Sequence, residues 1–226
     1  MRRCDVLAAM SVAALLFACA GGPPPPDWQM NAQGAMERAT VAYLSGNTRL
    51  EATEFSRARA EVARTGRADL LARTELMRCA ARVASLVFED CPGFAALVQD
   101  ASAAERAYAD YLAGGQGRPQ DAALLPAQHR DVAAGSGSVD ALSRMPDPLS
   151  RLVAAGVLLR SARAQPAVMA LAVDTASAQG WSRPLLAWLN VQALRAEAAG
   201  EVNEAARLRR RIGVVLDAAP KAASAP

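Results

Sequence analysis

Apolar and small side chains recur at every third or fourth position along most of this chain, in segments that end at glycine or proline. The first segment, Trp28 to Ser45, places Ala35, Ala39 and Ala42 on one side and precedes Gly46. This spacing puts side chains on one face of an α-helix, and a glycine after the last turn can adopt the left-handed conformation that ends a helix. The pattern predicts a succession of amphipathic helices.

Composition favours the same class of fold. Alanine is abundant, aromatic residues make up 4% of the chain, and isoleucine is nearly absent. Alanine has the highest helix propensity and lets helices approach closely, whereas β-branched and aromatic residues favour strands. We therefore expect an all-α protein built from antiparallel helical hairpins.

Three helix starts carry capping signals. Thr48 with Glu51, and Ser102 with Glu105, have the spacing of a capping box, in which each side chain binds the other residue's backbone N–H group. The pair Asp147–Pro148 combines a capping side chain with a proline suited to the first helical turn. A helix is expected to begin at each of these positions.

Glycine, proline and serine cluster in two places and divide the chain. Residues 114–147 are rich in all three and predict an irregular connector between two helical halves. Pro23 to Pro26 predict a stiff, extended tether. The expected order is a signal segment 1–18, a Gly/Pro-rich tether 19–27, an N-terminal helical half 28–113, the connector 114–147, a C-terminal helical half 148–220 and a tail 221–226.

The C-terminal half contains a repeating unit. Predicted helix starts at Pro148 and Arg183 lie 35 residues apart, and each unit consists of a helix, a short turn and a helix. This period and unit resemble tetratricopeptide repeats. The small-residue positions of the repeat are occupied by Ala193, Gly200 and Ala205. Arg209 departs from the repeat, which has an aromatic residue at that position. The resemblance implies a short stacked array, and an irregular helical bundle built from the same hairpins is the alternative.

The first eighteen residues predict a secretion signal. Arg2 and Arg3 precede an apolar run from Val6 to Ala18. A helix of this length spans about 20 Å, which is too short for a hydrocarbon core of about 30 Å. A positive start, a short apolar stretch and a small residue at the cut site are typical of a cleaved signal peptide.

The apolar run ends with Leu16-Phe17-Ala18-Cys19, which resembles the lipobox of bacterial lipoproteins. In that family the signal is cut before the cysteine, which then carries a diacylglyceryl thioether and an N-acyl chain. Ala20 follows, and by the family rule a residue other than Asp implies the outer membrane. The resemblance implies a lipid-anchored envelope protein that faces the periplasm. The alternative is an ordinary cleaved signal in which Cys19 is incidental.

The charge balance disfavours one class of partner. The full chain has a formal net charge of +3, and loss of residues 1–18 removes Arg2, Arg3 and Asp5, which leaves +2. So small a charge does not imply nucleic-acid binding. We expect contact with the membrane through the N-terminal lipid, and an envelope protein as the partner.

Cys79 and Cys91 remain once Cys4 leaves with the signal and Cys19 is acylated. An even pair in the oxidising periplasm predicts a disulfide. A continuous helix would separate their Cα atoms by about 18 Å, and a disulfide needs less than about 7 Å. The bond therefore requires the chain to turn between them. Two buried free thiols are the alternative, since Cys79 lies on an apolar stripe.

Few residues could support catalysis. His129 is the only histidine, so no histidine cluster can bind zinc, and we expect it to be exposed in the connector. Glu89 and Asp90 could act as a carboxylate pair, but acids at an apparent helix end are commonly solvated. The chain has no Gly-x-Ser-x-Gly nucleophile motif. We therefore expect no catalytic residue, no metal site and no cofactor.

A dense basic patch on the last predicted helix is the main candidate interface. It consists of Arg207, Arg209, Arg210 and Arg211. The patch could bind phosphates or an acidic protein, or the arginine stems could simply cover apolar surface on a solvated face.

These features predict a lipid-anchored cell-envelope protein that acts as a non-catalytic protein-binding scaffold. An accessory subunit of an envelope transport or secretion system would need the same features. A peptidoglycan-acting enzyme is the third class, and it would need a cleft with perturbed carboxylates. A scaffold would instead present a groove with exposed aromatic or charged side chains.

Replacement of Cys19 tests the anchor. Cys19→Ser removes the thiol that would form the thioether, so the variant should incorporate no labelled fatty acid and should lose its firm membrane attachment. In-gel detection of a clickable fatty acid measures this, with Cys4→Ser as the matched control because Cys4 lies inside the signal. Equal labelling of the Cys19→Ser variant and the wild type would contradict the lipoprotein prediction.

Overall fold

The computed structural model of the chain describes residues 24–115 and 119–218. Within these ranges the chain forms eleven α-helices and one 3₁₀ helix and has no β-strand, which confirms the predicted all-α class. None of the described helices is long and apolar enough to cross a membrane. The predicted signal segment, Cys19 and the tail 221–226 lie outside the described residues.

The helices follow one another with short turns, and the first two form an antiparallel hairpin. The N-terminal part contains α1 (Asp27–Leu44), α2 (Thr48–Ala63), α3 (Ala68–Ala84), α4 (Pro92–Ala95) and α5 (Ala103–Leu112). The connector contains the 3₁₀ helix (Pro119–Leu124), α6 (Ala127–Ala133) and α7 (Val139–Ser143). The C-terminal part contains α8 (Pro148–Arg160), α9 (Pro166–Ala178), α10 (Ser182–Ala198) and α11 (Val202–Ala218).

Two of the three predicted capping arrangements are present. At α5 the capping box of Ser102 and Glu105 forms, and at α8 the Asp147 side chain caps the first turn. At α2 the helix begins at Thr48 as predicted, but the capping box does not form, because Asn47 caps the helix and the Glu51 side chain is buried against α3. The Glu51 carboxylate therefore pairs with an arginine of α3 and does not take part in a capping box of its own helix.

Helices from the two predicted halves share one hydrophobic core. α3 packs against α8 as well as against α5, and α10 contacts α1. The crossing of α3 and α8 is close because Gly156 faces the Val83 carbonyl, and a Cβ on Gly156 would overlap that oxygen. The two halves are therefore packed together, and the connector lies against the same core.

Long-range hydrogen bonds join α10 to α1, α2 and α3. Arg183 donates from Nε to the Tyr43 carbonyl oxygen at 2.7 Å and from Nη2 to Thr48 Oγ1 at 2.9 Å. Trp188 is fully buried, and its Nε1 donates to the Ala84 carbonyl oxygen at 3.1 Å. Because these carbonyls lie at the ends of α1 and α3, α10 holds the ends of both helices.

Four glutamates in the N-terminal part are buried, and each pairs with an arginine of a neighbouring helix. The pairs are Glu54–Arg38 between α2 and α1, Glu51–Arg78 and Glu75–Arg59 between α2 and α3, and Glu105–Arg73 between α5 and α3, with N···O distances from 2.7 to 2.9 Å. A buried carboxylate is tolerated when its charge is paired and hydrogen-bonded. These pairs therefore let helices with polar faces pack together.

Cys79 in α3 and Cys91, just before α4, form a disulfide with Cα atoms 6.0 Å apart. The chain makes the turn that this bond requires, because α3 ends at Ala84 and Leu86 follows with a left-handed φ of 60°. The disulfide ties the middle of α3 to the start of α4.

Loss of this disulfide should destabilise the fold. The bond joins residues 12 positions apart, and the chain-entropy model gives roughly 3 kcal/mol for a loop of about this length. Calorimetry should therefore show a melting temperature several degrees lower for the Cys79→Ser/Cys91→Ser variant than for the wild type. Intact-mass analysis of the unreduced wild type provides the control, since the bond removes two hydrogen atoms. Two alkylatable thiols in the unreduced, denatured protein would rule the bond out.

Candidate functional site

An apolar cleft lies between α3, α5 and the end of the 3₁₀ helix with the two residues after it; we name it the α3/α5 cleft. Its volume is about 440 Å³, and most of its wall is apolar. The lining residues are Arg73, Leu76 and Met77 from α3, Ala104, Glu105 and Tyr108 from α5, and Leu124, Leu125 and Pro126. A volume of this size with a largely apolar wall and a few polar groups is typical of a binding pocket.

The Arg73–Glu105 ion pair joins the two helical walls of the cleft. The Glu105 carboxylate accepts hydrogen bonds from Arg73 Nη2 at 2.8 Å and from the Ser102 backbone N–H at 3.0 Å. Burial works to raise the pKa of this carboxyl, but the hydrogen bonds from Ser102 and Arg73 outweigh burial and lower it. Glu105 is therefore ionised at neutral pH and holds α5 against α3.

Tyr108 forms the inner wall of the cleft, and two further aromatic rings lie behind it. Its ring centroid is 6.1 Å from that of Tyr111 and 5.7 Å from that of His129. His129 is only 1% exposed, and its Nδ1 lies 3.2 Å from the Tyr111 hydroxyl oxygen. The expectation that His129 is exposed is therefore wrong, because α6 places this ring against α5.

The surroundings of this aromatic cluster oppose ionisation. Burial lowers the pKa of His129 to about 4, and the negative charge of Asp147 offsets only part of that effect. Burial raises the pKa of Tyr108 and of Tyr111 well above the ordinary tyrosine value. All three side chains are therefore neutral at pH 7, which suits packing behind the cleft and does not suit proton transfer.

Two apolar side chains are exposed at the rim of the cleft. Met77 is 46% exposed and Leu124 is 42% exposed. Exposed apolar side chains beside a pocket are a common feature of interaction sites, and methionine adapts its shape to different partners. The cleft could therefore accept an apolar side chain that also covers its rim.

The two acids considered for catalysis lie in the loop after α3. Glu89 is half exposed, and its Oε1 lies 2.5 Å from Arg82 Nε in an ion pair. Asp90 is exposed, and neither acid lines the α3/α5 cleft. The arrangement is that of solvated surface acids.

The predicted basic patch lies on α11, and nearby acids neutralise part of it. The ion pairs are Arg207–Glu204 at 2.6 Å and Arg209–Glu197 at 2.9 Å. Arg210 is exposed and Arg211 is half-buried. Because exposed ion pairs such as these contribute little energy and reduce the net charge, the patch resembles a solvated face more than a strong anion site.

The sequence pattern does not reveal the α3/α5 cleft, because its walls come from segments far apart in the chain. Two weak signals exist. Met77 falls outside the buried stripe of α3, and Leu124 directly precedes the buried Leu125 in the connector. Each is an apolar side chain that helix packing leaves uncovered.

Within residues 24–115 and 119–218, no group of three or more histidine, cysteine or carboxylate side chains could hold a metal ion. Comparisons with protein families, with curated proteins and with solved structures find no match to this chain. A proposal about function therefore depends on the chain's own residues.

The buried His129 predicts that the fold is sensitive to acid. The unfolded chain binds a proton at this histidine near its ordinary pKa of 6.5, whereas the folded protein does so only near pH 4. The histidine therefore favours unfolding progressively as the pH falls from 6.5 toward 4, and it costs about 3 kcal/mol of stability at the lower end.

Urea unfolding of the wild type and of His129→Phe, at pH 7 and at pH 4, measures this effect. Phenylalanine does not titrate, so the variant should lose about 3 kcal/mol less stability than the wild type over that range. Carboxylates titrate in both proteins, and their contribution cancels in the comparison. Parallel pH profiles would show that His129 is not held neutral by burial.

Proposed function

We propose that this chain is a lipid-anchored protein of the cell envelope that acts as a non-catalytic scaffold and binds a partner protein in the α3/α5 cleft. The cleft supports the proposal, because its wall is mostly apolar and Met77 and Leu124 extend apolar surface beyond its rim. An apolar side chain of a partner would be removed from water there together with both rim residues, which favours binding.

The rigid walls of the cleft support binding without rearrangement. The Arg73–Glu105 ion pair fixes α5 against α3, and the rings of Tyr111 and His129 support Tyr108 from behind. A pocket that is already formed avoids the entropy cost of ordering its side chains when the partner binds.

The titratable groups around the cleft support a non-catalytic role. A general acid or base works best with a pKa near the operating pH. The environment instead lowers the pKa of Glu105 below its ordinary value and lowers that of His129 to about 4.

The proposed location rests on the N-terminus. Leu16 to Cys19 resembles a lipobox, Ala20 follows the family rule for the outer membrane, and the prolines at 23–26 favour a stiff, extended spacer. A helical scaffold held on the membrane by lipid would then face the periplasm, where its partner would be another envelope protein.

Photocrosslinking in intact cells tests the cleft as the binding site. A photoreactive phenylalanine analogue at Met77 or at Leu124 should give one discrete crosslinked product. The same analogue at Val214 on α11, which is 70% exposed, should give none and serves as the control. All three positions are exposed, so the substitutions should leave the core intact.

A charge at the rim then tests whether the contact is apolar. Met77→Glu should reduce the product formed from position Leu124 about tenfold, because a carboxylate in place of the apolar side chain would have to be removed from water against the partner. Val214→Glu should leave that product unchanged, and circular dichroism checks the fold of both variants. A product that Met77→Glu leaves unaffected, or none from either rim position, would overturn the proposed site.

A further inference from the structure

The outer side of the first hairpin carries a second cavity, between the N-terminal half of α1 and the C-terminal half of α2. We name it the hairpin groove; its volume is about 450 Å³. Its lining is apolar at Met30, Gly34, Ala35 and Ala60, and the exposed side chains of Arg38 and Arg57 also line it. No part of the proposed function uses this groove.

The mouth of the groove has more positive than negative charge. Arg38 and Arg57 share one carboxylate, that of Glu54, with Arg38 Nη2 at 2.9 Å and Arg57 Nη1 at 2.7 Å. Glu61, which also lines the groove, is already paired with Arg64 at 2.8 Å. The three guanidinium groups of this network, on Arg38, Arg57 and Arg64, therefore face two carboxylates, those of Glu54 and Glu61.

Both guanidinium groups are available to an external anion. The Arg38 side chain is 58% exposed and that of Arg57 is 64% exposed, whereas the Glu54 side chain beneath them is 5% exposed. A Cβ built on Gly34 would lie 3.2 Å from Arg38 Nη1, so the glycine leaves open the space beside this group. Guanidinium N–H groups bind phosphate oxygens well, often two at a time.

The groove also lies near the end of the hairpin where the tether enters. Eight steps along the chain separate Cys19 from Asp27, the first residue of α1. In a polyproline conformation they span about 25 Å, and Gly34 lies about 10 Å farther along the helix. Next to the tether, Trp28 is half-buried and Met30 is 49% exposed, which suits the membrane–water interface.

We infer that the hairpin groove binds the phosphate headgroup of an anionic membrane lipid and so docks the helical domain on the bilayer. Arg38 and Arg57 donate hydrogen bonds to the phosphate oxygens. The apolar lining of the groove contacts the glycerol portion of the lipid. This inference rests on the lipid anchor of the proposed function, because the anchor keeps the groove within reach of the headgroups.

Quenching of Trp28 by brominated lipids tests the docking. The full chain is bound to brominated vesicles of phosphatidylcholine alone or mixed with phosphatidylglycerol, and Trp28→Phe gives the background from the other tryptophans. Phosphatidylglycerol should increase the Trp28-dependent quenching, and added salt should reduce the increase. Equal quenching on both kinds of vesicle would overturn the inference.

Two variants identify the groove as the cause. Arg57→Gln removes one guanidinium and leaves Glu54 paired with Arg38, and Gly34→Leu fills the groove without a change of charge and with a better helix former. Each should abolish most of the increase due to phosphatidylglycerol, whereas Arg210→Gln on α11 loses the same charge and should retain it. An increase that survives Gly34→Leu would place the lipid contact elsewhere.

Further measurements distinguish lipid phosphate from free phosphate and test the lipid anchor separately from the groove. At constant ionic strength, exchange of chloride for inorganic phosphate should leave the quenching unchanged, and full loss of the quenching would show that the groove takes free phosphate. Fatty-acid labelling of the same preparation reports the anchor independently. If the chain proves unacylated, flotation of the protein with phosphatidylglycerol vesicles still tests the groove. Wild-type flotation equal to that of the Gly34→Leu variant would overturn the inference.

Discussion

Arginine guanidinium groups connect the helices of this protein, and the rest of the architecture depends on those connections. In the N-terminal part, arginines pair with four glutamates buried between helices. Elsewhere, arginines donate to carbonyl oxygens near helix ends: Arg183 at α1, Arg160 at α5 and Arg163 at α6. A guanidinium suits both roles, because it remains charged, carries five N–H donors and favours the negative end of the helix dipole.

The same connections build both candidate binding surfaces. The Arg73–Glu105 pair joins the walls of the α3/α5 cleft, and the Arg38–Glu54 pair joins the helices that form the hairpin groove. Removing the arginine of either pair would leave a buried carboxylate without that charged partner. Stability and the shape of these surfaces therefore depend on the same side chains.

Local sequence signals were reliable where the structure uses local interactions. The capping box of Ser102 and Glu105 is satisfied within one helical turn, and its spacing alone predicts it. The spacing of Thr48 and Glu51 is identical, yet the Glu51 carboxylate accepts a hydrogen bond from Arg78, 27 positions away. Nothing in the local pattern distinguishes the two cases, because the difference is the presence of a competing partner on another helix.

The sequence by itself determined the all-α class. It also determined that Cys79 and Cys91 could meet only across a turn. Both conclusions follow from the spacing of residues a few positions apart. The lipid anchor at Cys19 stays a prediction of the sequence. Only the tertiary structure decided that α3 packs on α8 and that His129 is buried against Tyr111. Such contacts join segments distant in the chain, whose relative placement depends on how whole helix faces fit together, and helical periodicity does not specify that fit.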